Sequence, residues 1–295
     1  MANHLSTLIR RAWQAIAHPR IRLQADFPWG FGTMAKYYLI ANFYYFLGSL
    51  APLAVFIGAL PLLPRFAPEF ARNVVAPLLV NHQLGVIVVV SILSFLCGFG
   101  LEVWYINRVF RRNGLSLRQS LGLTLEPLGG GLRGLWGATW RAALMLVLAL
   151  ALEQLIGLLP IPAHNDPTAE FMASLSGLSY FGMALLAAVA APIFEELVFR
   201  GFLFNICRTT FRRGRWLKLF RGSTAMADFA AVLASGAVFA AFHLNPWGFP
   251  ALLVLGMLLA ELYRRTGSLY SSMIMHCLNN TLAVILTYLT ATHLH

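Results

Sequence analysis

Two adjacent glutamates, Glu195 and Glu196, lie inside a long apolar stretch of the chain that continues to Arg200. A carboxylate in hydrocarbon is costly, so an acid at such a position is a functional hypothesis by default. Arg200 follows Glu196 by one helical turn and can form an ion pair with it. Glu195 points about 100° away from Glu196 on a helix and has no basic residue one turn later. We therefore interpret Glu196 and Arg200 as a structural pair, and Glu195 as the carboxylate available for chemistry.

Two further polar positions occur in apolar surroundings downstream. His243 follows Phe239 by one helical turn, and His276 precedes Asn280 by one turn. Glutamate can act as a general base on a water molecule, histidine can hold the same water or transfer its proton, and asparagine can donate to a developing oxyanion. A single histidine in a helical bundle is usually a hydrogen-bonded core residue. Two histidines together with an unpaired glutamate predict a hydrolytic site.

Three other acids in or beside apolar stretches have structural explanations, whereas Glu153 in the third apolar run is ambiguous. Asp228 stands at the start of an apolar run, where we expect a helix N-cap. Glu261 neighbours Arg264 and Arg265, and Glu102 is within reach of the basic end of its own run. We interpret these acids as parts of the scaffold.

The composition indicates what kind of scaffold holds these residues. Of the 295 residues, 59% are hydrophobic and 11% are charged, whereas an ordinary soluble domain carries about 25% charged residues. The net charge is +11, but the basic residues lie between apolar runs, which argues against a nucleic-acid-binding domain. The 3 cysteines indicate neither a disulfide framework nor a Cys-rich zinc site. The sequence therefore predicts an integral membrane protein that contacts anionic lipid, with no nucleic-acid partner.

Seven apolar runs predict an all-α, polytopic transmembrane helix bundle. They cover residues 37–64, 84–107, 136–160, 177–206, 226–243, 250–263 and 269–291. The fifth and sixth runs are short and are separated by a turn from Asn245 to Gly248. We expect these two runs to form a hairpin that reaches only part-way across the membrane and keeps His243 beside the other polar positions.

Basic residues alternate between successive connections and predict the orientation. The segment before the first run is rich in Lys and Arg, as are the connections after the second and fourth runs, whereas the connection around Asp166 has neither. By the positive-inside rule the N-terminus is cytoplasmic and the C-terminus lies outside, and we expect the plasma (inner) membrane. In residues 1–36, Leu5 and Leu8 recur at helical spacing opposite Arg10, which predicts an amphipathic helix in the interface.

Three ordered motifs resemble those of the CPBP intramembrane proteases, the CAAX-processing and bacteriocin-processing (Abi) family. They are Ala-Pro-x-x-Glu-Glu-x-x-x-Arg-Gly (191–201), Phe-x-x-x-His (239–243) and His-x-x-x-Asn (276–280). The resemblance covers residues 175–292 and implies a CPBP-like intramembrane protease domain there. Residues 1–36 are then a cytoplasmic N-terminal segment, and residues 37–174 a transmembrane region without motifs.

The resemblance implies a membrane-embedded endopeptidase with defined residue roles. Glu195 would be the general base and His243 its partner at the water, while His276 and Asn280 would form the oxyanion side. The family is often called a metalloprotease family, and zinc held by Glu195, His243 and His276 is the alternative. The His-Glu-x-x-His spacing of soluble zinc proteases is absent, and a water activated by glutamate needs no metal. We therefore favour a metal-free site.

Two other functions fit parts of the pattern. A non-catalytic membrane scaffold or immunity protein could keep the same fold, but it would have no need of an unpaired Glu195. A transporter could use Glu195, His243 and His276 as a proton relay, but the sequence has no internal repeat. We therefore expect an endopeptidase that cleaves membrane-associated peptides or proteins near the cytoplasmic face.

Overall fold

The computed structural model describes residues 27–76, 79, 83–158 and 167–293. Helices make up 85% of the structure, and the described residues contain no β-strand. The predicted all-α fold is therefore confirmed. The predicted amphipathic helix around Leu5, Leu8 and Arg10 and the connection around Asp166 lie outside the described residues.

Each of the seven predicted apolar runs corresponds to one long helix. These helices are α1 (Phe31–Ala59), α2 (Gln83–Arg112), α3 (Gly131–Ile156), α4 (Gly177–Phe211), α5 (Thr224–Phe242), α6 (Phe249–Thr266) and α7 (Leu269–His293). Short helical segments occupy Leu63–Phe66, Pro68–Phe70, Ala71–Val75, Leu117–Ser120, Glu126–Leu128, Pro167–Ser174 and Gly214–Leu219. The largest difference from the predicted bounds is in α1, which begins at Phe31 instead of residue 37. The helix α6 continues beyond its apolar run through Arg264 and Arg265.

Within the described part of the chain, 6 helices are long and apolar enough to cross a membrane, as judged by length and composition. The helix α6 differs from them because Glu261, Arg264 and Arg265 fall within its 18 residues. With 19 and 18 residues, α5 and α6 each measure about 28 Å, against about 30 Å for the hydrocarbon core. The membrane helix bundle is thus confirmed, whereas the part-way reach of the hairpin stays a prediction.

The helix α4 is interrupted twice by π-helical segments. It consists of the α-helical Gly177–Leu185, the π-helical Leu186–Ala190, the α-helical Ala191–Glu196, the π-helical Leu197–Phe204 and the α-helical Asn205–Phe211. Pro192 has no N–H group, so the normal α-helical hydrogen bond to the preceding turn is lost where the first π segment ends. Single π turns inside α-helices are frequently found at functional sites. Both glutamates lie in the short α-helical piece between the two π segments.

The chain forms two compact units that alternate along the sequence. Among the described residues, the first unit comprises residues 27–35, 113–158 and 192–279, and the second comprises residues 36–76, 79, 83–112, 167–191 and 280–293. Glu195, Glu196, Arg200, His243 and His276 belong to the first unit. Asn280 begins the last part of the second unit.

In the first unit, α5 and α6 pack closely as the predicted hairpin. A Cβ atom on Gly256 would stand 2.9 Å from the Cα of Gly236, so a glycine pair allows the two backbones to approach. The connecting turn is held by Asn245, whose Oδ1 accepts a hydrogen bond from the Gly248 N–H at 2.8 Å. The hairpin therefore has a fixed geometry at both its crossing point and its turn.

The connection between α2 and α3 also contributes to the first unit, because it contacts the junction of α6 and α7. The Tyr263 hydroxyl donates to the carbonyl of Leu121 at 3.1 Å and accepts from Asn205 on α4 at 2.9 Å. The carbonyl of Gly122 accepts from the Leu269 N–H at 2.9 Å. Gly122 has a positive φ of 67°, and a Cβ there would meet the carbonyl oxygen of Gly267. These bonds fix the start of α7, which carries His276.

The second unit is held by aromatic contacts and a small apolar cluster. Tyr44 and Tyr105 stack with ring centroids 5.0 Å apart, which joins α1 to α2. A cluster of buried Val88, Met172 and Leu175 joins α2 to the segment before α4. This unit therefore builds its own core from α1, α2 and parts of α4 and α7.

Two acids occupy different surroundings from those that the sequence predicted. The N-cap of α5 is Ser223, whose hydroxyl accepts from the Met226 N–H, and Asp228 lies one turn further, buried against arginines. Glu102 is buried, and the structure records no ion pair for it among the described residues. Arg108 is six residues away, about 240° around the helix, so it cannot lie on the same face. The N-cap role predicted for Asp228 and the basic partner predicted for Glu102 were therefore both wrong.

Candidate active site

The buried ion pair lies at the centre of the candidate site. Arg200 Nη1 lies 2.8 Å from Glu196 Oε1, and both side chains are fully buried. Arg200 Nη2 donates to the carbonyl of Gly256 on α6 at 3.3 Å, and its guanidinium carbon lies 4.3 Å from the ring centroid of Phe239 on α5. The pair therefore joins α4 to both helices of the hairpin.

His276 lies between the two glutamates. Its Nδ1 is 3.0 Å from Glu196 Oε1, and its Nε2 is 3.8 Å from Glu195 Oε2. An ionised carboxylate only accepts hydrogen bonds, so Nδ1 carries the proton that His276 donates to Glu196. In the neutral ring Nε2 then presents its lone pair toward Glu195, and in the imidazolium it presents an N–H. The sequence predicted only the pair of Glu196 and Arg200. His276 is a third member of this cluster that was not predicted.

Glu195 differs from Glu196 in both its exposure and its partners. Its side chain is 20% exposed, whereas that of Glu196 is 0% exposed. A distance of 3.8 Å to His276 Nε2 is too long for a direct hydrogen bond. Among the described residues, Glu195 Oε2 has no hydrogen-bond partner. The side chain of Glu195 is thus partly exposed, while its buried Oε2 faces the imidazole of His276.

His243 caps the C-terminal end of α5 and is exposed. Its Nδ1 lies 2.8 Å from the carbonyl oxygen of Phe239, which only accepts, so Nδ1 is the donor and neutral Nε2 can accept a proton. The ring of Phe239 has its centroid 4.5 Å from that of His243 and 5.6 Å from that of His276. Phe239 therefore contacts both histidines.

Asn280 lies one turn beyond His276 on α7, in the second unit. Its Nδ2 donates to the carbonyl of Ala187 at 2.9 Å, in the first π segment of α4. The amide has two N–H groups, so this bond leaves one of them for another acceptor. The proposed role of Asn280 on the oxyanion side stays a prediction.

The zinc alternative requires Glu195, His243 and His276 to come together around one ion. No three His, Cys, Asp or Glu side chains come together as a metal-binding group within the part of the chain that the structure describes. Glu195, His243 and His276 therefore do not come together as a ligand set in this arrangement.

Several supporting residues could not be recognised from the sequence. The Gly256 carbonyl and the Phe239 ring both contact Arg200, and Asn205 joins α4 to Tyr263 on α6. Phe239 stood out only as the residue one turn before His243. The contacts themselves join residues on different helices, so no local pattern predicted them.

The fold and the site define an integral membrane protein with a glutamate and histidine cluster in its helix bundle. Residues 177–282 match the model of the type II CAAX prenyl endopeptidase Rce1-like family. This match confirms the resemblance that the motifs indicated, and it contains every candidate site residue. It also supports a hydrolase at the family level, because that family consists of proteases. No curated protein and no solved structure matched the chain.

Proposed function

We propose that this protein is an intramembrane endopeptidase that hydrolyses peptide bonds of membrane-associated proteins or peptides near the cytoplasmic face. The observation that carries the proposal is the difference between two adjacent carboxylates. Glu196 is fully buried in contact with Arg200 and His276, whereas Glu195 is partly exposed and faces the Nε2 of His276. A scaffold needs the first arrangement but has no use for the second.

In the proposed reaction, Glu195 acts as the general base. Its carboxylate takes a proton from a water molecule while the water oxygen attacks the carbonyl carbon of the scissile peptide bond. The C=O π electrons move to the oxygen and give a tetrahedral oxyanion. The oxyanion then re-forms the C=O bond as the C–N bond breaks, and the protonated Glu195 gives its proton to the leaving nitrogen. This yields a carboxylic acid and an amine, and the proton of the acid passes to the amine to leave a carboxylate and an ammonium group.

The two histidines and Asn280 assist this reaction in the proposed mechanism. His243 accepts a hydrogen bond from the attacking water at Nε2, because its Nδ1–H is held by the Phe239 carbonyl. As an imidazolium, His276 donates a hydrogen bond from Nε2 to the oxyanion, while its Nδ1–H remains hydrogen-bonded to Glu196. Asn280 supplies the second donor to the oxyanion through the N–H that Ala187 does not use.

The remaining parts of the proposal concern location and cofactor. We propose the plasma (inner) membrane with a cytoplasmic N-terminus, because the basic connections alternate along the sequence. We also propose a metal-free site, in which Glu195 and His243 together activate the water. Incubation of the purified enzyme with a chelator should then leave its activity unchanged, whereas loss of activity that zinc restores would contradict this.

The decisive experiment compares wild type with Glu195→Gln, which preserves side-chain size but removes the base. The termini of membrane proteins are identified by mass spectrometry in cells that carry each form. Glu153→Gln serves as the matched control, because Glu153 is a half-buried acid in another helix, α3.

We expect a set of cleavage-derived termini that is present with wild type and Glu153→Gln and absent with Glu195→Gln at equal protein abundance. Identical termini in all three would contradict the proteolytic function. A cellular phenotype that persists in Glu195→Gln would favour the non-catalytic scaffold or immunity protein.

A further inference from the structure

A second charged cluster lies in the first unit, separate from the residues of the candidate active site. The carboxylate of Asp228 on α5 is 7% exposed and contacts three arginines. Arg208 Nε lies 3.2 Å from Oδ1, while Arg212 Nη2 and Arg264 Nη1 lie 2.6 Å and 3.5 Å from Oδ2. Asp228 therefore joins the end of α4 to the end of α6.

Glu261 on α6 is the second acid of this cluster. It binds Arg264, whose Nε lies 2.6 Å from Oε2, and it also binds Arg265. The cluster thus contains four arginines and two carboxylates, which leaves two positive charges in excess. The side chains of Arg212 and Arg264 keep 31% and 27% of their surface exposed. The excess positive charge is therefore accessible from outside the protein.

An apolar groove continues from this cluster between α5 and α6. It has a volume of about 400 Å³, and its apolar walls include Phe229, Val232, Met257 and Leu258. Asp228, Glu261, Arg264 and Arg265 line its charged end. Phe229 is 61% exposed, so the groove opens on the outer surface of the hairpin. The charges of this lining balance, and the excess positive charge at this end comes from Arg208 and Arg212, which contact Asp228 beside the groove.

We propose that this groove binds one anionic phospholipid, with the phosphate at Arg264 and Arg212 and an acyl chain along the apolar walls. Arginine binds phosphate through paired N–H groups. Basic pockets between membrane helices are typical sites for anionic headgroups. A zwitterionic lipid would fill the same apolar walls, but its choline group would meet the excess positive charge. The groove therefore selects lipid by headgroup charge.

The experiment measures lipid retention by native mass spectrometry on the purified full-length protein in detergent. Phosphatidylglycerol and phosphatidylcholine with identical acyl chains are titrated separately, and the binding constant of the first bound lipid is compared. Arg264→Gln removes one charge at the groove, and Arg133→Gln is the control because Arg133 is exposed and lies outside it. We expect wild type to prefer phosphatidylglycerol and Arg264→Gln to lose about fivefold in affinity for it.

A second pair of variants tests the apolar walls without disturbing the ion pairs. Ala225→Trp fills the groove from an exposed position, and Met226→Trp is the control at a neighbouring exposed position outside the groove. We expect Ala225→Trp to weaken phosphatidylglycerol binding and Met226→Trp to leave it unchanged, with equal melting temperatures.

Three results would overturn the proposal: equal affinity of wild type for both lipids, equal losses in Arg264→Gln and Arg133→Gln, or wild-type binding by Ala225→Trp. If Arg264→Gln does not fold, the tryptophan pair still decides the question.

Discussion

Glu195 and Glu196 are adjacent in the chain, yet the residues around them give the two carboxylates different surroundings. Glu196 contacts Arg200 and His276 and is fully buried, while the side chain of Glu195 is partly exposed. A carboxylate that is already bound to a guanidinium and an imidazole is a weak base for water. The site thus contains one acid, Glu196, that is held by an ion pair and a hydrogen bond, and a second acid, Glu195, that has neither.

The first residue-scale prediction concerns the ion pair. Arg200→Ala removes the guanidinium from a fully buried Glu196, and an uncompensated buried charge of this kind costs about 3–5 kcal/mol of folding free energy. We expect lower abundance and a lower melting temperature, in addition to lost activity. Arg133→Ala, at an exposed position, is the control. Normal accumulation and wild-type melting of Arg200→Ala would show that the pair does not stabilise the fold.

The second residue-scale prediction concerns Asn280. If it donates to the oxyanion, Asn280→Ala should lower the turnover rate by about 10²–10³-fold, with some activity remaining. Loss of the hydrogen bond to the Ala187 carbonyl should also lower the free energy of unfolding by about 1 kcal/mol. The measurement is the rate of substrate cleavage beside a melting curve, with Asn279→Ala as the neighbouring control. An unchanged rate in Asn280→Ala would remove it from the mechanism.

At the element scale, the α5–α6 hairpin supports the site from one side. Gly256 provides both the close approach to Gly236 and the carbonyl that accepts from Arg200. Phe239, on the same hairpin, contacts Arg200, His243 and His276. A shift of α5 away from α6 would therefore alter the surroundings of the ion pair and both histidines together.

The prediction at this scale is that Gly256→Ala destabilises the hairpin. The added Cβ would lie 2.9 Å from Gly236 Cα and 3.0 Å from the Phe239 ring, so the helices must separate. We expect a loss of about 1–3 kcal/mol, as for other overpacked cores. Gly100→Ala on α2 is the control, because a Cβ there meets nothing within 4 Å. If the two variants melt alike, the close crossing is unimportant for stability.

At the scale of the whole molecule, the interrupted helix α4 and the long helix α7 each contribute to both units. Their connections are the basis of the topology prediction. In a background without cysteine, Arg215→Cys and Asp166→Cys are tested with a membrane-impermeant maleimide on intact cells. We expect labelling at position 166 and none at position 215, since the basic connection stays in the cytoplasm. The reverse pattern would place the N-terminus outside.

Features that depend on neighbouring residues could be predicted from the sequence. Hydropathy located all seven helices, because a membrane requires long apolar segments with internally satisfied backbone groups. The spacing of Glu196 and Arg200 indicated their pairing, because residues one turn apart share a helical face. Helix ends were less accurate, since the charged last turn of α6 is helical without being apolar.

Contacts between distant positions, in contrast, could not be predicted from the sequence. His276 meets Glu196 across 80 residues of sequence, and Asp228 gathers arginines from α4 and α6 instead of capping α5. The contact of the Phe239 ring with His276 likewise depends on how the helices pack. A side chain's partner across the bundle depends on how the helices are rotated and how closely they approach. Those quantities come from the packing of the entire fold and leave no signal at any single spacing in the chain.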